Sequence, residues 1–211
     1  MKRNTLFTML FMAVVAGSAL LTSSCSESED PSEFDNWQAR NDHFIDSIAH
    51  VADLNADGSW ERIKAFNIGE ETSLYLGQNK YFIYVKRLET GSGTYSPLYT
   101  DSVRVHYSGR LIPSKSYSAG YQFDKSYDGS AWVESTDVPS LMGVNGVVTG
   151  FATALMYMKE GDRWLVYVPY YLGYGTKDYT KAQIPGYSTL VFDVKLARIY
   201  RYKIDTDTSW H

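Results

Sequence analysis

Residues 188–196 read Ser188-Thr189-Leu190-Val191-Phe192-Asp193-Val194-Lys195-Leu196, and their period is two. Leu190, Phe192, Val194 and Leu196 fall in one phase, Asp193 and Lys195 in the other, as in a strand with one buried and one wet face. The same alternation recurs upstream. Val103, Val105 and Tyr107 alternate with Arg104, His106 and Ser108, and Trp164, Val166 and Val168 repeat the pattern. Tyr81 to Leu88 is an aromatic and β-branched run that closes at Gly91-Ser92-Gly93. One segment breaks the period: Phe151, Ala154, Leu155 and Met158 lie at i, i+3, i+4 and i+7, which predicts a short helix ended by Gly161. Antiparallel strands wrapped on one short helix make an α+β domain.

Toward the N-terminus the pattern turns helical. Trp37, Phe44, Ile45 and Ile48 recur near 3.6-residue spacing within Phe34–His50, predicting a helix that packs on the main domain or mediates a homodimer. Asp53-Leu54-Asn55-Ala56-Asp57-Gly58 opens like a calcium loop, which needs a glutamate clamp at position 12. That position is Lys64, so an Asp-Gly turn accounts for the same letters better. The start of the chain reads as an export signal: Lys2 and Arg3, then an apolar run from Leu6 to Leu21, short for a membrane span. It ends in Leu20-Leu21-Thr22-Ser23-Ser24-Cys25, which resembles a bacterial lipoprotein cleavage site with Cys25 as the acylated residue. Cys25 is the sole cysteine, and an exported lone thiol has no internal disulfide partner. A plain secretory peptide with cleavage nearby is the alternative. Ser26-Glu27-Ser28-Glu29-Asp30 then makes an acidic linker, and it also resembles the surface-export tract of Bacteroidetes lipoproteins.

Composition narrows the function. The chain of 211 residues is 44% apolar and 21% charged, ordinary for a soluble domain. Its net charge of −4 gives no basic face for nucleic acid. Eighteen tyrosines suit a β-rich fold with an aromatic surface. No Gly-x-Ser-x-Gly elbow, paired-histidine metal motif or phosphate loop occurs. His43, His50, His106 and His211 are scattered, and His106, on the outward phase of its strand, is expected to be solvated.

The ordered motifs carry more. Val105-His106-Tyr107-Ser108-Gly109, Phe123-Asp124-Lys125-Ser126 and Val147-Val148-Thr149-Gly150-Phe151 resemble successive signatures of FKBP-type prolyl isomerases. Met158-Lys159-Glu160-Gly161-Asp162-Arg163, Val168-Pro169, Gly173-Tyr174-Gly175, Ile184-Pro185 and Ser188 to Val194 continue them in order, from about Lys80 to Arg201. The resemblance implies a twisted antiparallel sheet curled around one helix, with an apolar pocket between them. By motif, Tyr107, Phe123, Val147, Val148, Phe151, Tyr174, Ile184 and Phe192 line it, with Phe151 as the floor. It further implies that Tyr174 donates to a substrate carbonyl, that the Ile184 N–H binds another, and that Asp124 stands at the wall oriented by Tyr107. Phe151 replaces the family's usual tryptophan, the arginine that often follows the aspartate is absent, and Val138 and Trp132 compete for the aromatic before Val147.

Isomerisation breaks no covalent bond, so such a pocket needs no nucleophile, metal or cofactor. The obstacle is amide resonance, a barrier of about 18–20 kcal/mol. In the twisted transition state the carbonyl oxygen carries less negative charge, so an apolar enclosure disfavours the planar ground state more. The expected organisation is a signal peptide over 1–24, a linker over 25–33 and a helical extension over 34–79. An isomerase domain over 80–202 and a tail over 203–211 complete it. The expected partners are proline-containing exported polypeptides and, through the lipid on Cys25, a membrane of the cell envelope. A non-catalytic peptide-binding lipoprotein and a structural lipoprotein that assembles through its N-terminal helix are the alternatives.

Overall fold

A computed structural model describes residues 32–69 and 78–201. The expected signal peptide, Cys25, the expected linker up to residue 31 and the expected tail over 203–211 lie outside the described residues.

The four strands expected from the two-residue period join three others, among the described residues, in one antiparallel sheet. In chain order they are β1 (Trp60–Lys64), β2 (Phe82–Glu89), β3 (Ser102–Arg110), β4 (Gln122–Lys125), β5 (Ser140–Gly143), β6 (Arg163–Val168) and β7 (Leu190–Tyr200). Their spatial order is β1-β2-β6-β7-β3-β4, and β5 pairs with the other end of β3. β3 and β7 form the long central pair, from Ser102 opposite Tyr200 to Arg110 opposite Val191, with a register shift between Arg104 and Val105. A bulge there lets a strand bend, which suits a sheet that curls.

The helix expected near Phe151 is α2 (Thr149–Tyr157), lying on the concave face. Phe151, Ala152, Ala154 and Leu155 bury against Val103, Val105, Trp164, Val166, Val168 and Val194. The approach is close: a Cβ on Gly150 would stand 2.3 Å from Cγ1 of Val168. That contact sets how deep the start of the helix sits, and therefore how deep Phe151 lies. The helix ends one turn before Gly161, at Tyr157. Gly161 serves the turn into β6 instead, where its N–H donates to the Leu196 carbonyl at 2.8 Å.

The N-terminal helix α1 spans Trp37–Leu54. Ile45, Ala49 and Ala52 pack on Tyr81, Phe82 and Tyr84, so Phe82–Val85 is buried on both faces. This packing occupies the apolar face from which a homodimer was the other expectation. After the helix, the segment expected to be a helical extension turns at Asn55–Ser59 and adds β1 at the sheet edge. Asp57 accepts hydrogen bonds from the Ser59 N–H and hydroxyl, as an Asx-type turn does.

His106 differs from its expected solvated state. It is 4% exposed, because residues after β4 fold back over the outer sheet face. The Trp132 ring stacks on the imidazole at 6.0 Å and 12°, and the Arg163 guanidinium lies 4.6 Å from the same indole. Period two identified the phase of His106 but not the cover that the intervening segment supplies.

Candidate functional site

A cavity of about 440 Å³ opens between α2 and the concave sheet. Tyr107 enters it from β3, Phe123 and Asp124 from β4, Met142 from β5 and Phe192 from β7. Val147, Val148 and Phe151 come from the start of α2, Tyr174 and Tyr179 from the loop after β6.

The floor is aromatic and packed. Phe151 and Phe192 stand 4.7 Å apart between ring centroids, and Phe123 meets Phe192 edge-on at 5.7 Å. Gly109 makes room for them: a Cβ there would lie 2.5 Å from the Phe123 ring and 2.9 Å from that of Phe192. Such rings gain from tilted and edge-to-face contact beyond the area they bury. The floor is therefore continuous with the core.

The mouth is polar. The Tyr107 hydroxyl donates to Oδ2 of Asp124 at 2.7 Å, while Oδ1 accepts the Lys125 N–H at 2.9 Å. Burial, then the bond to Asp124, pushes the Tyr107 phenol well above the ordinary tyrosine value. The Lys125 ammonium faces away, on the carbonyls of Asp128 and Gly129 at 2.7 and 2.8 Å. Across the mouth, Tyr174 stacks on Tyr179 with centroids 4.4 Å apart and planes 12° from parallel. Burial, then the neighbouring Tyr179 and Asp124, raises the Tyr174 phenol too. Both phenols thus stay protonated as donors at neutral pH. Among the described residues the Tyr174 hydroxyl has no hydrogen-bond acceptor.

Ile184 does not join this constellation. It is buried, and its N–H donates to the Tyr179 carbonyl at 3.2 Å, closing the loop on itself. That donor is engaged within the loop. The side chain instead borders a separate cavity of about 560 Å³ with Trp37 and Tyr187. Val148, which lines the smaller cavity and caps α2, has an N–H that makes no hydrogen bond among the described residues. The first N–H groups of a helix have no partner within it.

Neither competitor for the missing aromatic lines the cavity. Trp132 lies on the opposite sheet face, and Val138 is 73% exposed. Met142 takes a place in the wall. Met142, Gly146 and Tyr179 are lining residues that sequence reasoning missed. Only Tyr179 carried a signal, as an aromatic in a tyrosine-rich turn beside Tyr174.

The larger cavity is lined by Trp37, Ile184 and loop residues, and its Asp178 carboxylate is taken up by the Gly186 N–H at 2.8 Å within the same loop. The smaller one combines an apolar recess, an oriented carboxylate–phenol pair and unengaged donors. It can enclose an apolar ring and hydrogen-bond the amide groups beside it.

Comparison with known proteins agrees with this architecture. A family model described as FKBP-type peptidyl-prolyl cis-trans isomerase matches residues 93–197. The chain is 38% identical over 114 residues to the macrophage infectivity potentiator of Trypanosoma cruzi, covering 54% of this chain and 51% of that protein. It is 40% identical over 103 residues to the FKBP-type 22 kDa peptidyl-prolyl cis-trans isomerase of Escherichia coli (strain K12), covering 49% and 43%. The chain thus spans about half the length of these curated relatives. With FK506-binding protein 1 of Aspergillus oryzae it is 32% identical over 114 residues, 54% of this chain and 95% of that one. A crystal structure of a peptidyl-prolyl cis-trans isomerase from Pseudomonas syringae pv. tomato shares the fold, with a TM-score of 0.54 at 20% identity over 81% of this chain and 98% of the other. With a relative matched over nearly its whole length and a sheet that curls on one helix around an aromatic-floored cavity, this chain belongs to the FKBP-type peptidyl-prolyl cis-trans isomerase family.

Proposed function

We propose that the chain accelerates cis–trans rotation about Xaa-Pro bonds in polypeptides, with the cavity over Phe151 as its active site. The observation that carries this reading is the Tyr107–Asp124 pair at the mouth of an apolar recess floored by Phe151 and Phe192. A pyrrolidine ring seated on the floor places its preceding amide among the aromatic walls. Rotation then proceeds without covalent chemistry. The planar amide has the larger charge separation, and the apolar walls solvate it worse than water does. The twisted amide loses less, and that difference lowers the barrier. Tyr174 and the Val148 N–H supply donors for carbonyls flanking the proline, fixing one half of the peptide while the other half turns. Every 1.4 kcal/mol or so of such differential binding gives tenfold in rate.

Anchoring to the cell envelope belongs to the same proposal. It rests on the apolar run from Leu6 to Leu21 followed by the sole cysteine, Cys25. A lipid on Cys25 would do the anchoring; among the described residues no helix is long and apolar enough to cross a membrane. Folding polypeptides outside the cytoplasm are then the substrates, since uncatalysed Xaa-Pro exchange takes tens to hundreds of seconds.

A second reading has its own observation. Lys125 is engaged with backbone carbonyls and gives Asp124 no side-chain cation, which favours a module that holds proline peptides without turning them over. Protease-coupled isomerisation of a short Xaa-Pro peptide separates the two. Acceleration supports the enzyme; binding without acceleration supports the module. Mass spectrometry of the protein from membranes tests the anchor, which predicts an acylated Cys25 as the first residue.

A further inference from the structure

The pocket's rim consists of two excursions from the sheet, and both are tied to the chain before β1. The first runs from Leu111 to Tyr121 between β3 and β4, the second from Pro169 to Thr189 between β6 and β7. They touch each other where the Tyr121 hydroxyl donates to Oε1 of Gln183 at 3.3 Å. The second carries Tyr174 and Tyr179; Leu172 and Ile184 root it in the core, but the 560 Å³ cavity borders Thr176 and Gln183 to Tyr187. Where that cavity stands in place of packed side chains, discrete ties add to the hold.

Those ties come from residues 33–41. Trp37 Nε1–H donates to Ser188 Oγ at 2.8 Å, and that hydroxyl donates to the Pro185 carbonyl at 2.6 Å. One helical turn on, Asn41 is 0% exposed; its Oδ1 accepts the Thr189 N–H at 2.7 Å and its Nδ2 donates to the Trp37 carbonyl at 2.7 Å. The first excursion is caught by the same segment. Ser116 donates to Glu33 through its hydroxyl at 2.6 Å and its N–H at 3.1 Å, and Arg40 Nη2 donates to the Pro113 carbonyl at 3.2 Å. Arg40 Nη1 returns to the Glu33 carbonyl at 3.0 Å and so binds the two grips together. Glu33, Trp37, Arg40 and Asn41 precede the segment that matches the family, 93–197, whereas the residues they hold lie within it.

We infer that Glu33, Trp37 and Asn41 form a clasp that holds both rim excursions in register, making the N-terminal helix a positioning element of the pocket. The inference rests on the isomerase reading only in naming what the pocket does. A buried N–H or amide bonded across so long a stretch of sequence fixes the loop it reaches, since leaving either end unpaired is costly. None of these residues touches the cavity where the peptide would sit. They act through Tyr174, Tyr179 and the turn that carries them.

The test uses the full chain and the variants Ser188→Ala, Trp37→Phe, their double variant, and Glu33→Ala, which sits at the surface. Amide exchange over residues 176–187 should rise about tenfold in Ser188→Ala and Trp37→Phe, the scale of one lost buried hydrogen bond. The double variant should add little to Ser188→Ala, which already removes the Trp37 bond along with the bond to the Pro185 carbonyl. Glu33→Ala should raise exchange over 113–120. Strand β7 should remain protected in every variant, and the ring resonances of Tyr174 and Tyr179 should shift in the first three. Turnover of an Xaa-Pro peptide by fully folded protein, as kcat/KM, should fall roughly tenfold with the same lack of additivity. Unchanged exchange in Ser188→Ala and Glu33→Ala, with unchanged ring resonances in Ser188→Ala, would overturn the clasp whatever the turnover. If the parent chain turns over no peptide, the isomerase reading fails, and the exchange data still decide the clasp.

Discussion

The hydroxyl of Tyr107 donates to Oδ2 of Asp124 at 2.7 Å, linking the two strands that frame the pocket mouth. Around it, the backbone N–H of Tyr107 donates to the Ser126 hydroxyl at 2.8 Å, and the Ser126 N–H donates to the Tyr107 carbonyl at 3.0 Å. The pair therefore sits in a fixed frame, with Gly109 opposite Asp124 in the ladder. A carboxylate held by a phenol keeps one orientation toward the cavity, which is the form of preorganisation that lowers a barrier without reorganisation during the reaction.

Removing the phenolic donor should loosen that orientation. Tyr107→Phe is expected to lower kcat/KM for an Xaa-Pro peptide about tenfold, the equivalent of one hydrogen bond of ~1.4 kcal/mol. Asp124→Ala should cost at least as much. The double variant should lose less than the product of the two, and strict additivity in a double-mutant cycle would show that the residues act separately.

The pocket floor is also core. Phe151 is buried and packs on Phe192, so Phe151→Ala should destabilise the fold by roughly 3–5 kcal/mol as well as open the site. Urea unfolding measures it. A loss below about 1 kcal/mol would mean the floor can collapse into the cavity.

Trp132 and Met142 should separate by function. Trp132 covers His106 on the outer sheet face, whereas Met142 lines the cavity. Trp132→Leu is expected to reduce stability by about 1–2 kcal/mol and leave peptide turnover within twofold. Met142→Ala should lower turnover severalfold. A pocket effect from Trp132→Leu would contradict the placement.

His106 gives a pH dependence with a definite sign. Burial lowers its pKa, outweighing the opposing pull of the Glu134 and Asp137 carboxylates, and Lys195 acts in the same direction as burial. The unfolded chain therefore takes up the proton at higher pH than the folded one. The stability contributed by neutral His106 is complete above about pH 6.5, the unfolded value, and is lost as pH falls toward the folded value. The urea midpoint should fall between pH 7 and pH 5, and His106→Phe should flatten that slope. Equal slopes would show that other groups carry the acid response.

Much of this architecture was legible in the sequence because its signals are local. Leu190, Phe192, Val194 and Leu196 share a phase that only a strand buries together, and Phe151, Ala154 and Leu155 share a face that only a helix does. Tyr107, Asp124 and Phe192 were found through ordered motifs, and the fold brings them to one cavity with Tyr174. What was not legible depends on chain segments remote in sequence. The burial of His106 is decided by Trp132, 26 residues on (132 − 106), and nothing in its own strand reports that cover. β1 is a short edge strand whose buried phase is mostly half-covered, so it left little periodicity. Ile184 was assigned to the pocket, but its N–H is taken by Tyr179 through a loop closure that spacing does not encode. Met142 carries no aromatic signal and follows a segment of irregular length.

The measurement that tests the central claim most directly is cis–trans exchange of an Xaa-Pro peptide, followed by NMR exchange spectroscopy with the parent chain, Tyr174→Phe and Asp124→Ala. The cavity over Phe151 predicts exchange far above the uncatalysed rate with the parent, and a clear fall, about tenfold, in each variant. Exchange at the uncatalysed rate with a folded parent chain, or full acceleration in both variants, would contradict it.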